Sequence, residues 1–302
     1  MMDLRLLGCG GTQPLPDRAL SALGVTVGGR SLLIDCGEGT QTACRRWGLS
    51  MVKIDGVLLT HYHGDHIFGL PGLWQTMAAL GRTAPLVIAG PPGLEEILAP
   101  CLQLAGPLPF ALRPAVMPGC AGQLSLLGGR VEAFRCEHRV PCCGYAFTLP
   151  RAGRFDPARA KAAGIPQRLW GPLQRGQAAE GFVPAQVLGP PRRGLRLVYA
   201  TDTRPCAALL DAARGADLLC MDATYPDDAD LDKARLYGHS TCREAGALAA
   251  AAGVRRLWLT HYSGAVTDPA AGLAAARALF PAALAGTDGL TLTLHFDKET
   301  NP

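Results

Sequence analysis

Residues 57–72 read VLLTHYHGDHIFGLPG. An apolar run ends at Thr60, and His61, His63, Asp65 and His66 then fall within six residues. Imidazole is the commonest biological ligand for zinc-like metals, and carboxylate completes many catalytic sites. In an extended chain His61 and His63, two apart, lie on one side. Gly64 is expected to let the chain turn sharply, so that Asp65 and His66 approach from another direction. One short loop can thus serve two adjacent metal ions. Thr60 ends a buried strand, which places the cluster at a strand's C-terminal end, where α/β folds commonly hold their sites.

The tetrapeptide Leu-Thr-His-Tyr returns at 259–262, in LWLTHYSGAV, with a lone histidine. A second strand end is therefore expected to bring His261 to the place where His61 sits, each half of the chain building half of the site. The chain has seven histidines. All but His295 lie near the ends of expected strands or beside short turn motifs; His295 reads as a surface or satisfied strand histidine.

Short or alternating apolar runs bounded by glycine predict strands at Asp3–Leu7, Gly24–Val27, Ser31–Asp35, Gly56–Thr60, Leu86–Ala89, Gln123–Leu127, Val131–Arg135, Tyr145–Leu149, Leu195–Thr201, Asp217–Met221, Arg256–Thr260 and Leu290–Phe296. Gly28-Gly29 between two of them predicts a hairpin. Helical patterns occupy Thr40–Trp47, Gly72–Leu80, Pro92–Ala105, Pro205–Ala213, Thr241–Ala252 and Pro269–Leu279, with Ser240 or Thr241 and then Glu244 as a capping-box start. Hairpins followed by strands alternating with helices, with no long repeat, suit an α/β sandwich of two mixed sheets with helices outside.

With 302 residues, 48% of them apolar, the chain can bury a sizeable core. It contains no apolar run of membrane-spanning length and no basic-then-apolar leader in MMDLRLLGCGG, so a soluble, cytoplasmic protein without membrane contact is expected. Eleven scattered cysteines without a C-x-x-C signal neither a disulfide framework nor a cysteine zinc site. The adjacent Cys142 and Cys143 read as small buried thiols. The net charge of +4 is mild but unevenly spread: residues 150–196 hold nine Arg and Lys against Asp156 and Glu180, so this segment carries +7 and the rest −3. Such a local excess suits a polyanion, and an ordinary solvated loop is the alternative. The stretch 150–194, rich in Gly, Pro and Arg, reads as an arm inserted between two strands of one 1–302 domain. Only Pro157–Ala163 in it looks helical, and it is not expected to form a second core.

The pattern H-x-H-x-D-H after a buried strand resembles the metallo-β-lactamase superfamily. GCGGTQPLP near the start, SLLIDCGEGTQ at 31–41, HGDHIFGLPGL at 63–73, HRVPCCGY at 138–145, FDPARAKAAGIP at 155–166, VLGPPRRG at 187–194, YATDTRP at 199–205, GHST at 238–241 and LTHYS at 259–263 together resemble the ribonuclease Z family of tRNA 3′-processing endonucleases. The resemblance runs from about Leu4 to Ser263 and implies the αββα sandwich.

It also implies two zinc ions per subunit, with Mn2+ or another divalent metal as the alternative. His61, His63 and His138 would hold one, Asp65, His66 and His261 the other, and Asp202 would bridge them. Activated water would be the nucleophile and Asp65 would accept its proton. His239 in GHST would be the general acid, oriented by Asp222 in MDATY. The implied products are a tRNA with a 3′-hydroxyl and a 5′-phosphorylated trailer. The inserted arm would grip a tRNA precursor, commonly for the partner subunit of a homodimer, with Arg154, Arg159, Lys161, Arg168 and Arg175 as candidate phosphate contacts.

The chain departs from the family pattern at several points. Gly171-Pro172 comes later in the arm than usual, Asp222 stands where many members have Glu, Ser263–Val266 lacks an arginine usual there, and Ala200 replaces a glycine. A phosphodiesterase of the same superfamily acting on small-molecule or cyclic-nucleotide substrates is the alternative. The basic arm and GHST argue against it. The intact candidate ligands argue against a third reading, a non-catalytic RNA-binding protein.

Overall fold

Neighbouring residues along the strands belong to different apolar clusters. Leu32, Ile34 and Leu58 lie in one, and Leu33, Val57 and Leu59 in another. Side chains that point alternately to opposite faces of a strand require this, so the sheet is covered on both sides. The structure, a computed structural model, describes residues 1–297.

Among these residues the strands form two seven-stranded sheets. The first contains β1 (Met2–Gly8), β2 (Ala22–Val27), β3 (Arg30–Ile34), β4 (Ile54–Leu58), β5 (Leu86–Gly90) and β6 (Leu112–Val116). The second contains β7 (Gly122–Leu126), β8 (Gly129–Arg135), β9 (Cys143–Arg151), β10 (Arg192–Ala200), β11 (Leu218–Asp222), β12 (Leu257–Thr260) and β13 (Ala283–Ala285). The last strand, β14 (Thr291–Leu294), returns to the first sheet beside β1. Both sheets join an antiparallel half to a parallel half, the change falling at β3 in one and β10 in the other. The cluster between the sheets includes Leu4, Leu6, Tyr145, Phe147, Tyr199 and Trp258.

Helices cover the outer faces. On the first sheet α1 (Thr40–Arg46), the single turn α2 (Gly64–Ile67), α3 (Leu70–Ala79) and α4 (Leu94–Ala105) contribute Cys44, Ile67, Trp74 and Leu98 to the outer cluster. Two helices, α5 (Pro157–Ala162) and α6 (Trp170–Gln174), lie in the 150–194 segment. The second sheet carries α7 (Ala207–Ala213), α9 (Cys242–Ala252) and α10 (Leu273–Arg277), with the exposed α8 (Leu231–Tyr237) between α7 and α9. This is the αββα sandwich expected from the sequence. The Gly28-Gly29 hairpin forms with both φ positive, at 58° and 77°. Thr241 and Glu244 close a capping box on α9.

Besides the single turn α2, four elements escape the sequence pattern. Strand β6, with Pro114, is a half-exposed edge strand, where proline is tolerated and alternation is weak. Strand β13 has three residues. Helix α8 buries only Ala234, so it shows no apolar stripe. The fourth is α6. The 150–194 segment has a small core of its own, from Ala160, Ile165, Leu169, Leu173 and Val187, with the Phe155 and Trp170 rings 5.4 Å apart. The expectation that it lacks a core is corrected. Its apolar residues sit on turns too short to display a period.

Candidate metal centre

The strand ends converge on one edge of the sandwich. Cys143 N–H at the start of β9 donates to Thr60 O beyond β4 at 2.8 Å, and Tyr145 Oη donates to Leu59 O at 2.7 Å, tying the two sheets together there. Beyond β12, Tyr262 N–H donates to Cys9 O at 3.0 Å, and Gly11 N–H to Tyr262 O at 2.9 Å. A Cβ on Gly11 would lie 2.5 Å from Cε1 of His261, so glycine is what lets this first loop rest on the imidazole. Asp35, Asp202 and His261 each follow a strand with positive φ, at 63°, 52° and 64°. That region is uncommon for non-glycine residues, though Asp and His tolerate it best, and it clusters at functional sites.

Seven side chains meet at this edge. His61 Nε2 lies 2.9 Å from His63 Nδ1, and Asp202 Oδ2 lies 3.6 Å from His61 Nε2 and 3.8 Å from His138 Nε2. On the other side Asp202 Oδ1 lies 3.1 Å from His66 Nε2 and 3.0 Å from His261 Nε2. Asp65 Oδ2 approaches the same two nitrogens, at 3.5 and 3.3 Å. One carboxylate thus turns an oxygen to each of two groups of ligand-type atoms: His61, His63 and His138 in one, Asp65, His66 and His261 in the other.

The outer atoms of these rings are held from behind. His66 Nδ1 faces Asp35 Oδ2 at 2.9 Å, and His138 Nδ1 donates to Gly238 O at 2.9 Å. His61 Nδ1 faces Thr60 Oγ1 at 3.1 Å, and Thr60 in turn bonds Asp35 through both its N–H and its hydroxyl. With His138 Nδ1 donating, the neutral ring turns a lone pair inward at Nε2. His138 Nε2 and Asp202 Oδ1 are buried and lack a hydrogen-bond partner of their own. Lone pairs converging on a buried carboxylate need a cation, and the donor set of imidazoles and carboxylates fits a divalent one.

The titration shifts express the same need. Burial opposes charging His66, yet Asp202 and Asp35 hold its pKa well above the ordinary histidine value. Burial also opposes His261, which Asp202 and Asp65 nevertheless raise to about 9. Asp202 is held well below the carboxylate range: burial works against ionisation, and the neighbouring His261 and His66 outweigh it. Burial drives His61 the other way, well below its usual value.

Beside this cluster His239 Nδ1 lies 2.8 Å from Asp222 Oδ2, so the aspartate reaches the imidazole despite its short side chain. Asp222 also accepts from Thr224 N–H, Thr224 Oγ1 and Ser240 N–H, at 3.0, 2.9 and 3.1 Å. His63, Asp65, His138, Asp202, His239 and His261 all line one cleft of about 470 Å3, together with Thr12, Glu38, Phe68 and Arg139. Arg139 places a cation in this wall. Asp35, Thr60 and Thr224 lie within the quoted motifs, but their support of His66, His239 and His261 is seen only across strands.

Gly64 does not adopt positive φ. Its turn is the helical one of α2, and the Phe68 ring packs over the glycine, where a Cβ would lie 2.3 Å from its Cε2. His295 is exposed beyond β14, outside the site. In the inserted segment Arg168 is paired with Glu180 at 2.7 and 2.8 Å, and Arg159 lies 3.5 Å from Asp156. Arg154, Lys161 and Arg175 are exposed and form no ion pair among the described residues.

The β-lactamase superfamily domain model matches residues 30–262. The chain is 42% identical to a protein named Ribonuclease Z from Lachnospira eligens, over 99% of this chain and 100% of the relative. It is also 42% identical to one of the same name from Lachnoclostridium phytofermentans, over 99% of each. The crystal structure of the short form of human tRNase Z superposes with a TM-score of 0.70 at 25% identity, covering 97% of this chain and 100% of that one. Among the described residues no helix is long and apolar enough to cross a membrane.

Proposed function

Because the chain belongs to the ribonuclease Z family of the β-lactamase superfamily, we propose that it is a metal-dependent endoribonuclease that removes the 3′ trailer from tRNA precursors. Two zinc ions per subunit suit the donor set. His61 Nε2, His63 Nδ1 and His138 Nε2 would hold one, and Asp65 Oδ2, His66 Nε2 and His261 Nε2 the other, with Asp202 shared. The observation that carries this reading is the divided Asp202 carboxylate, one oxygen to each group.

Such ions supply Lewis acidity to the phosphodiester and activate water for attack. The remaining work belongs to side chains. Asp65, whose Oδ2 accepts Thr12 N–H at 2.6 Å, receives the proton as water oxygen bonds to phosphorus. His239, its Nδ1 held by Asp222, gives a proton from Nε2 to the departing 3′-oxygen as the P–O3′ bond breaks. The tRNA keeps a 3′-hydroxyl, and the phosphate leaves on the trailer's 5′ end.

Arg154, Lys161 and Arg175, without ion-pair partners among the described residues, are suited to grip the tRNA backbone, with Arg159 and Arg168 less free to do so. A homodimer, in which each arm serves the partner's site, completes the reading. The test is incubation of purified protein with an end-labelled tRNA precursor, with and without chelator. The expected result is one chelator-sensitive cut at the 3′ end of the tRNA body. Cleavage elsewhere, or cutting that survives chelation, would sink the proposal.

A further inference from the structure

Phe68 stands on the wall of the catalytic cleft, beside His63 and Asp65 and across the same space as His138 and His239. It is 67% exposed, although its neighbours Ile67 and Leu70 are buried in the outer core. Its position is set by α2. Phe68 N–H donates to Gly64 O at 2.9 Å, and the next residue, Gly69, donates to Cys36 O at 2.9 Å. These bonds hold the backbone on both sides of the ring. The ring edge lies over Gly64, where a Cβ would come within 2.3 Å of Cε2 and 2.5 Å of Cζ. No other aromatic ring stacks on Phe68 among the described residues. The ring thus packs with its edge over the Gly64 backbone and leaves the rest of its surface open to the cleft.

A bare phosphate gains little from such a surface. A nucleobase gains much, because every base has a π-face, and unpaired RNA presents that face without prior unstacking. Arg139, in the same cleft wall with its guanidinium 5.2 Å from the centre of the Tyr237 ring, supplies a cation for the adjoining backbone. We propose that the Phe68 ring is a stacking platform for one unpaired base flanking the cut, and that this contact sets the register of the phosphodiester over the metal centre. The inference rests on the endoribonuclease reading above and adds a specificity-determining residue to it.

The test uses the zinc-loaded enzyme with tRNA precursors carrying 2-aminopurine, or an abasic site, at the last tRNA nucleotide or at the first trailer nucleotide. Wild type is compared with Phe68→Ala and Phe68→Trp. At one of the two positions the 2-aminopurine signal should be quenched on binding to wild type and to Phe68→Trp but not to Phe68→Ala. On the intact precursor Phe68→Ala should lose about 5- to 100-fold in kcat/KM, with more scattered cut positions. On the precursor that is abasic at the stacked position it should add almost no further loss. Because Phe68 is exposed, an unchanged Tm checks that Phe68→Ala folds. Losses that multiply independently, or quenching indifferent to Phe68, would overturn the platform. Failure of wild type to cut the intact precursor would overturn the functional reading beneath it and leaves a different signature, since every variant would then be silent.

Discussion

The hydroxyl of Thr224 lies 3.1 Å from Nδ1 of His261. The same oxygen lies 3.1 Å from Nδ1 of His239 and 2.9 Å from Asp222 Oδ1. One small side chain therefore touches a candidate metal ligand and the candidate general acid together. On the other side of the site Thr60 stands in the same relation to Asp35, His61 and His66. Thr224→Val keeps the shape and removes the hydroxyl, freeing His261 to rotate or take the wrong tautomer. Zinc affinity at that position should fall about 10- to 100-fold, as for other groups that orient a ligand from behind. Thr224→Ser should restore most of it. Chelator competition measures both, and equal affinity in the valine variant would refute the role.

Asp222 is fully buried and accepts hydrogen bonds from Thr224, Ser240 and His239. Burial opposes its ionisation, but His239 holds its pKa below the usual carboxylate value. Asp222→Asn puts an NH2 group among donors and leaves some of them unpaired. A stability loss of ~1–3 kcal/mol is expected. So is a fall in kcat of about 10²- to 10⁴-fold, with zinc content retained, if the pair transfers the leaving-group proton. Metal analysis, thermal unfolding and single-turnover rates separate the three effects. A drop in zinc content parallel to the drop in rate would place Asp222 with the metal ligands instead.

Zinc binding should release protons and strengthen with pH. In the cation-free site His66 is raised well above its ordinary pKa and His261 to about 9, so both carry protons near neutral pH. Folded pKa values above the unfolded one mean that this protonation stabilises the cation-free protein fully below about pH 6.5, and that the contribution is lost as pH rises towards 9. A metal at Nε2 must displace those protons, so lowering the pH opposes binding. Calorimetry at pH 7 in buffers of differing ionisation enthalpy should show net proton release, and zinc affinity should rise from pH 6 to 8. Proton uptake, or affinity independent of pH, would contradict the charge arrangement.

The inserted segment leaves and rejoins the body at nearly one place. Gly189 N–H donates to Arg154 O at 2.9 Å, Phe155 bridges to Leu188, and Arg151 pairs with Arg192 across β9 and β10. Its core residues contact one another as a separate cluster. Joining Gly153 directly to Gly189 should therefore leave the sandwich folded with its zinc content intact. Precursor affinity should fall, and its dependence on salt should become shallower by about two to three in log–log slope if Arg154, Lys161 and Arg175 all meet phosphates. Filter binding across a salt series measures this. A comparable loss in kcat/KM on a small chromogenic phosphodiester would show that the segment supports the core rather than the RNA.

The cluster at 61–66, the echo at 259–262 and the alternating apolar runs indicated the sandwich and part of its edge site, because periodicity and ligand spacing are local properties; the family and the roles of His138, Asp202, Asp222 and His239 came from the resemblance carried by motifs along the chain. Weak elements without a period, such as β6 with Pro114 and the three residues of β13, were not legible, since neighbours rather than their own side chains hold them in place. What only the tertiary structure decided concerns partners distant in sequence. The division of Asp202 between two groups, the Thr60–Asp35 support and the meeting of Thr224 with both His239 and His261 all depend on which strand ends face each other. A buried polar atom must find its hydrogen-bond partner wherever the fold provides one, and that choice is not written in its own segment of chain.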